Sequence, residues 1–375
     1  MRRLPAFAAI LMAAGIALAA RVELDGGSPW LAHPIALASG VLGLLAAGFA
    51  VTPRGGGDGG VVALLIGLLL GLPAPLILVD AYPAAGTALP GLWLYLIGLG
   101  LTAWCAMDAL AAVGSRGGRR GSRLGLAAPL LFGFWLLYVW EVLVVGFGVP
   151  QILLPAPHQI GHQLASQAAV LWGDFRQTFL KAVLAGWIAG CGLGFLVAVA
   201  IDRIPFLQRG LLPLGNLVSA VPVVGIAPIM VMWFGFDWPS KAAVIVVMTF
   251  FPMLINTLAG FAEVDAISRD LMRSYGASYW QTFLKLRLPN ALPFIFNALK
   301  INSTLAMIGA IVAEFFGSPI AGMGFRISVE VARMNVDVVW ATIAVAALAG
   351  SLFYWLIALV ERSLTFWHPS YRRQN

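Results

Sequence analysis

A chain of 375 residues that is 61% hydrophobic, with thirteen tryptophans and only 10% charged residues, lies far from soluble domains, in which roughly a quarter of positions carry charge. It is expected to be an all-α, polytopic membrane protein with no long soluble domain. The net charge of +7 is read as a record of membrane topology rather than as affinity for nucleic acid, and Cys105 and Cys191, each inside an apolar run, give no sign of a disulfide framework.

A spanning helix needs about 20 apolar residues. Ten stretches meet that need, at 4–20, 30–52, 60–80, 88–113, 127–149, 177–201, 211–236, 240–262, 294–316 and 337–361. The first follows Arg2-Arg3 and ends near Ala17-Leu18-Ala19, the outline of a secretory signal; it is expected to stay as an anchor. The glycine run at 55–60 has no Gly-Lys-Ser/Thr ending and is a linker, not a phosphate loop. No such loop occurs along the chain, so ATP hydrolysis is not expected of it. The Arg-Gly stretch 114–126 reads as a solvated basic linker dividing a four-helix extension (1–113) from a six-span part (127–375).

Basic residues set the orientation. With the N-terminus inside, sixteen of 23 fall on inner segments: Arg2, Arg3, Arg54, the four arginines of 116–123, Arg203, Arg209, the four between 269 and 287, and Arg362, Arg372 and Arg373. Six fall outside (Arg21, Arg176, Lys181, Lys241, Arg326 and Arg333), and Lys300 is ambiguous. That imbalance predicts both termini on the cytoplasmic side.

Within the later spans, Gly186, Gly190 and Gly194 recur every four residues, a spacing that lets helix backbones approach closely. His158 and His162 are four apart, but Pro157 and Gly161 weaken a helix there and further ligands for a metal are lacking. Asn256 and Thr257, then Asn297, Asn302, Ser303 and Thr304, bring polar groups into two spans. Such groups bond neighbouring helices or line a wet pathway, and both readings stay open. Glu314, Glu141 and Asp108 are carboxylates inside apolar runs, which is costly enough to suggest a role.

Between the last two of these polar stretches lies a charged island, Ser268 to Pro293. Gly276 sits where a helix from about Ser268 would end. Ser278 and Gln281 form an S-x-x-Q capping box that opens a second helix, and Leu288-Pro289 is expected to stop it. Arg269, Asp270, Arg273, Lys285 and Arg287 keep the island out of lipid. Tyr275, Tyr279, Trp280 and Phe283 give it an apolar face that needs a partner.

The island resembles the cytoplasmic loop of bacterial ABC-importer permeases. Asp270-Leu271-Met272 stand at the family's Glu-Ala-Ala, Gly276 at its glycine, and Leu286-Arg287-Leu288-Pro289 at its closing motif. Asp for Glu and Leu-Met for Ala-Ala are departures. From about 127 onward the resemblance continues through Leu154-Pro155-Ala156-Pro157, Thr178, Ala220-Val221-Pro222, Ala227-Pro228, Trp233-Phe234-Gly235-Phe236, Ala313-Glu314-Phe315 and Gly322-Met323-Gly324. The nearest branch is the nitrate, taurine, alkanesulfonate and pyrimidine- or riboflavin-precursor group. It implies a six-helix importer core in the bacterial inner membrane, with a coupling loop at 263–293 and the first four helices as an addition. It also implies a second permease copy or paralogue, an external substrate-binding protein, and ABC ATPase subunits that carry ATP and Mg²⁺; this chain would bind no cofactor itself.

A helix pair with charged ends and an aromatic face, anchored between spans, suits a groove on an ATPase. Asp270, Arg273, Gly276, Ala277, Ser278, Gln281 and Pro289 are the expected coupling residues. Asn256, Asn302, Thr304 and Glu314 are candidates for the translocation pathway, Glu314 more as part of a gate than as a proton relay. A secondary transporter or channel would instead want paired intramembrane charges and inverted repeats, and a membrane enzyme would want clustered His, Asp or Glu. The sequence offers neither. An anionic solute would favour Arg326 and Arg333 near the pathway; the substrate itself is not legible.

Overall fold

A computed structural model describes residues 3–19, 29–50, 58–82, 90–114, 126–204, 222–317 and 320–367. The arginines of 116–123, Arg2, Arg21, Arg54, Arg209, Arg372, Arg373, Ala220-Val221 and the first half of the stretch 211–236 lie outside the described residues. Every described element is a helix. Among the described residues, seven helical stretches are long and apolar enough to cross a bilayer, and three shorter apolar helices cover Leu4–Leu18, Pro34–Phe49 and Val224–Phe234. The chain forms two compact units, Met1–Ile160 and Gly161–Asn375.

The first unit contains α1 (Arg3–Ala19), α2 (Pro29–Ala32), α3 (Pro34–Phe49), α4 (Asp58–Gly71), α5 (Pro73–Ala81), α6 (Pro90–Gly114) and α7 (Ala127–Gly146). Its core is tied by tyrosines. Pro75 has no amide to offer the Gly71 carbonyl one turn back, and the buried Tyr95 hydroxyl lies 3.3 Å from that oxygen. Trp30 packs edge-on against Tyr95 at 5.4 Å. The Tyr138 hydroxyl of α7 donates to the Leu72 carbonyl at 2.8 Å. Glu141 of α7 accepts from the His158 amide at 3.0 Å and lies 2.6 Å from its ring Nδ1. Thus α7, which the sequence groups with the later spans, packs Tyr138 and Val142 into the first core.

The second unit begins within α8 (Pro157–Ser166) and continues through α9, one helical stretch from Ala168 to Arg203 that includes a wider π-helical segment at Arg176–Val183. Then come α10 (Val223–Phe234), α11 (Trp238–Ala262), α12 (Ala266–Ser274), α13 (Tyr279–Phe315), α14 (Met323–Ala332) and α15 (Val336–Leu364). Asp237 starts α11 by accepting from the Trp238 amide at 2.8 Å. Gln177 adds a bond to the same carboxylate oxygen at 2.6 Å. These two donors, the amide first, hold the Asp237 carboxyl below its ordinary value.

The α9–α11 seam is built on glycine. A Cβ at Gly186 would lie 2.6 Å from Ile245 Cβ, and one at Gly194 2.5 Å from the Phe250 carbonyl oxygen; at Gly190 it would run into Thr249 Oγ1. Without these methyl groups the two backbones come close, which is how helices associate in lipid. Asn302 crosses the seam from α13, donating to the Thr249 carbonyl at 2.8 Å and to Cys191 Sγ at 3.1 Å. Trp187 Nε1 donates to the Leu299 carbonyl at 3.2 Å. Lys300 and Glu361 form a mostly buried ion pair between α13 and α15 at 2.7 Å.

Gly190→Val should destabilise the protein by about 1–3 kcal/mol, the range for overpacking a tight contact. Gly192→Val, which faces open space, should not. Thermal unfolding of both variants in mild detergent checks this; equal melting temperatures would remove the seam from the account.

Candidate functional site

The charged island stands at one end of α11 and α13. No residue of α12 is buried; Ser268 and Met272, one turn apart, are half-buried, and the rest of this nine-residue helix is exposed. Ile267 is 77% exposed and Tyr275 81%. Asp270 and Arg273 form an exposed pair at 3.7 Å, a contact worth little in water.

The joint after α12 is locally determined. Gly276 has φ +68°, a left-handed conformation that costs glycine nothing. Its amide donates to the Arg273 carbonyl at 2.9 Å, and the Ala277 amide reaches back to Met272 at 3.0 Å. These two bonds are a Schellman motif, satisfying carbonyls the ended helix would leave open. The capping box then forms as the spacing predicts: the Gln281 amide donates to Ser278 Oγ at 3.3 Å, and Gln281 Oε1 accepts from the Ser278 amide at 2.8 Å.

Two expectations for the island are corrected. Leu288-Pro289 does not stop the second helix, which runs unbroken from Tyr279 to Phe315. Residues Phe283–Arg287 widen into a π-helical turn, and the Leu288 amide bonds the Phe283 carbonyl five residues back. Pro289 therefore lies within a continuous helix, its missing amide tolerated next to the widened turn. The aromatic face is also divided. Phe283 is 4% exposed and packs on the Phe261 ring at 5.3 Å. Tyr279 turns inward, its hydroxyl donating to Asp202 at 3.0 Å. Only Tyr275 and Trp280 of the four are left exposed.

Asp202, at the end of α9, is not singled out by any spacing or motif. Arg287 grips its carboxylate with both guanidinium ends, each at 2.6 Å. Arg287 also donates to the Phe261 carbonyl at 3.3 Å. The neighbouring Arg203 lies over the rings of Tyr279 and Trp280 at 5.2 and 5.7 Å. The partners are 85 residues apart in the chain, so only the fold brings them together.

At the opposite end of α13, Glu314 is 3% exposed and both its oxygens are taken. Thr178 of α9 donates to one at 2.7 Å and the Gly324 amide to the other at 2.6 Å. Thr178 Oγ1 in turn accepts from the Met323 amide at 2.7 Å, and Asp174 from the Gly322 amide at 2.8 Å. Gly322 has φ +140°, and a Cβ there would meet the Glu314 carboxylate at 2.6 Å. The Gly-Met-Gly run is thus folded directly over the buried carboxylate. Arg326 pairs with Asp174 at 2.8 Å, while Arg333 and Asn335 bond Glu330 at 3.2 and 2.8 Å. Lys241, 2% exposed, donates to the Phe236 carbonyl at 2.6 Å.

The four pathway candidates do not converge. Asn302 is fully buried between helices, Glu314 is sealed under the loop, Thr304 is exposed, and half-buried Asn256 bonds the Pro252 carbonyl at 2.8 Å. Asn302 and Glu314 are separated by twelve positions on one helix, roughly 18 Å at 1.5 Å per residue.

The family of binding-protein-dependent transport system inner membrane components matches residues 190–366. Over 235 residues the chain is 31% identical to a probable ABC transporter permease protein of Haemophilus influenzae, covering 63% of this chain and 95% of that one. It is 30% identical to a riboflavin transport system permease protein of Chloroflexus aurantiacus, covering 66% and 91%. A putative aliphatic sulfonates transport permease protein of Bacillus subtilis is 31% identical, with 69% and 94% covered.

Glu314→Ala would leave the Thr178 and Gly324 donors buried without an acceptor, at about 1–3 kcal/mol each. Glu314→Gln keeps an oxygen in place and should lose less. Thermal unfolding in detergent separates the two; indistinguishable curves would mean that the loop is held by something other than this carboxylate.

Proposed function

The chain belongs to the family of binding-protein-dependent transport system inner membrane components, and from that premise we propose how it works as the permease subunit of an ATP-driven importer. It is a multi-pass membrane protein of the transport type, related to permeases for small solutes. Ten spans, formed by the seven long helical stretches and the three shorter apolar ones, carry both termini on the cytoplasmic side, as the distribution of arginines favours. That orientation exposes α12 to the cytoplasm.

The observation that carries the mechanism is the exposure of α12, without one buried residue, on a joint whose every turn is hydrogen-bonded. The Schellman motif and the capping box satisfy the open backbone groups at the two helix ends and so fix the angle at which α12 meets α13. A helix pushed by a separate ATPase needs both, because a floppy joint dissipates motion. On this reading α12 seats in an ATPase groove, with Asp270, Arg273 and exposed Tyr275 as contacts. Gly276, Ala277, Ser278 and Gln281 hold its angle, and Pro289 lies where the π-helical turn passes the motion into α13. MgATP is bound and hydrolysed by that partner. A second permease copy or paralogue completes the pathway, and an external binding protein delivers the solute. Relatives named for riboflavin and for aliphatic sulfonates support a small polar solute selected mainly by the binding protein.

Gly276→Pro or Gly276→Asp should abolish ATP-driven uptake while the protein stays folded in the membrane. The check is affinity isolation from the native membrane, followed by identification of the associated chains and assay of uptake into vesicles. An ATPase that co-purifies with the unsubstituted chain and is lost with Gly276→Asp is the expected result. Uptake without ATP by the chain alone would point instead to a secondary transporter.

A further inference from the structure

At the α12 end of the second unit, the coupling segment, α12 together with the start of α13 through Arg287, is joined covalently to two helices and non-covalently to a third. Residues 263–265 connect it to α11, and α13 continues from it without a break. Helix α9 has no such connection. Its end meets the segment through Asp202, which takes two bonds from Arg287 at 2.6 Å and one from Tyr279 at 3.0 Å. Arg203 adds its stacking on Tyr279 and Trp280. The side chains of Asp202 and Arg287 are only 10% and 19% exposed, so the pair is shielded from the solvent that weakens surface ion pairs. A bidentate guanidinium–carboxylate contact also fixes relative orientation as well as distance.

The position of the pair along α13 is what gives it consequence. Arg287 is the last residue of the π-helical turn Phe283–Arg287, the stretch where α13 departs from regular α-helical hydrogen bonding. Asp202 bridges from α9 to that stretch. We propose that Asp202 is a positioning residue that locks α9 to the coupling segment, so that a push on α12 moves α9, α11 and α13 as one body. This rests on the importer reading. Without the lock, α11 and α13 would follow the push while the Asp202 end of α9, beyond the glycine seam, lagged behind.

The test uses the complex isolated from native membranes through this chain, with Cys105 and Cys191 replaced and an environment-sensitive fluorophore at one of two exposed positions. These are Leu196→Cys on α9 and Ile308→Cys on α13, 62% and 54% exposed. MgATP is the probe. In the unsubstituted background both labels should respond. In Asp202→Asn the ATPase should remain bound and active, the α13 label should still respond, and the α9 response should fall by about fivefold or more, the lower range of a typical coupling between sites. Asp202→Glu, or the exchange Asp202→Arg with Arg287→Asp, should restore it in part. Equal responses at both labels in Asp202→Asn would overturn the lock. So would loss of both responses together with reduced amounts of folded complex, which is the signature of a residue that only supports the fold. If the unsubstituted chain brings no ATPase and neither label responds to MgATP, the importer reading itself fails, an outcome distinct from the other two.

Discussion

Lipid tails are as apolar as leucine, so helices in a bilayer gain little by turning apolar faces toward one another. They are held by close backbone approach and by polar groups that must find partners within the protein. In the second unit both demands are met along one line. Gly186, Gly190 and Gly194 bring α9 against Ile245, Thr249 and Phe250 of α11. Asn302 and Trp187 then tie α13 to these same two helices. Where the glycine seam runs out, buried carboxylates take over: Asp202 paired with Arg287 at one end, and Glu314 hydrogen-bonded to Thr178 and the Gly324 amide at the other. The remaining contacts of the unit depend on the spacing this line sets.

Several of the charges in this part of the chain pair with one another. Arg287, Arg326 and Lys300 each have a carboxylate partner within 2.8 Å, and all three are largely buried. Asp270 and Arg273 differ, with side chains 73% and 82% exposed and a longer contact. That contrast separates charges that brace the fold from charges turned to a solvent-facing surface. It is a physical distinction that composition alone does not make, since all of these residues look equally foreign in an apolar sequence.

Short-range features of the fold are legible in the amino-acid sequence. Gly276, Ser278 and Gln281 act over at most five residues, so local rules suffice to place the end of one helix and the start of the next. Features that need a register or a distant partner are not legible in this way. Pro289 reads as a stop unless the π-helical turn that precedes it is taken into account. Tyr279, Trp280 and Phe283 look alike in sequence, yet their angular positions send Phe283 inward and leave Trp280 in solvent. Asp202 carries no local signal at all, because its partner lies 85 residues away. Glu314 stands out as a carboxylate among apolar residues, but one donor, Thr178, lies 136 residues away and the other, Gly324, follows a turn made with the positive φ of Gly322.

The π-helical turn at Phe283–Arg287 has a consequence for how this segment can vary. Such a turn holds one residue more than an α-helical turn, so it shifts the phase of everything before it by about 100° relative to an uninterrupted helix. That phase determines the side of the bundle from which α12 departs. Loss of a single residue between Thr282 and Pro289 would restore regular winding and rotate the departure point, even with every named contact residue still present. Exposed positions such as Leu284 are free to change in identity. The number of residues is not, and the segment behaves as a key cut to one length.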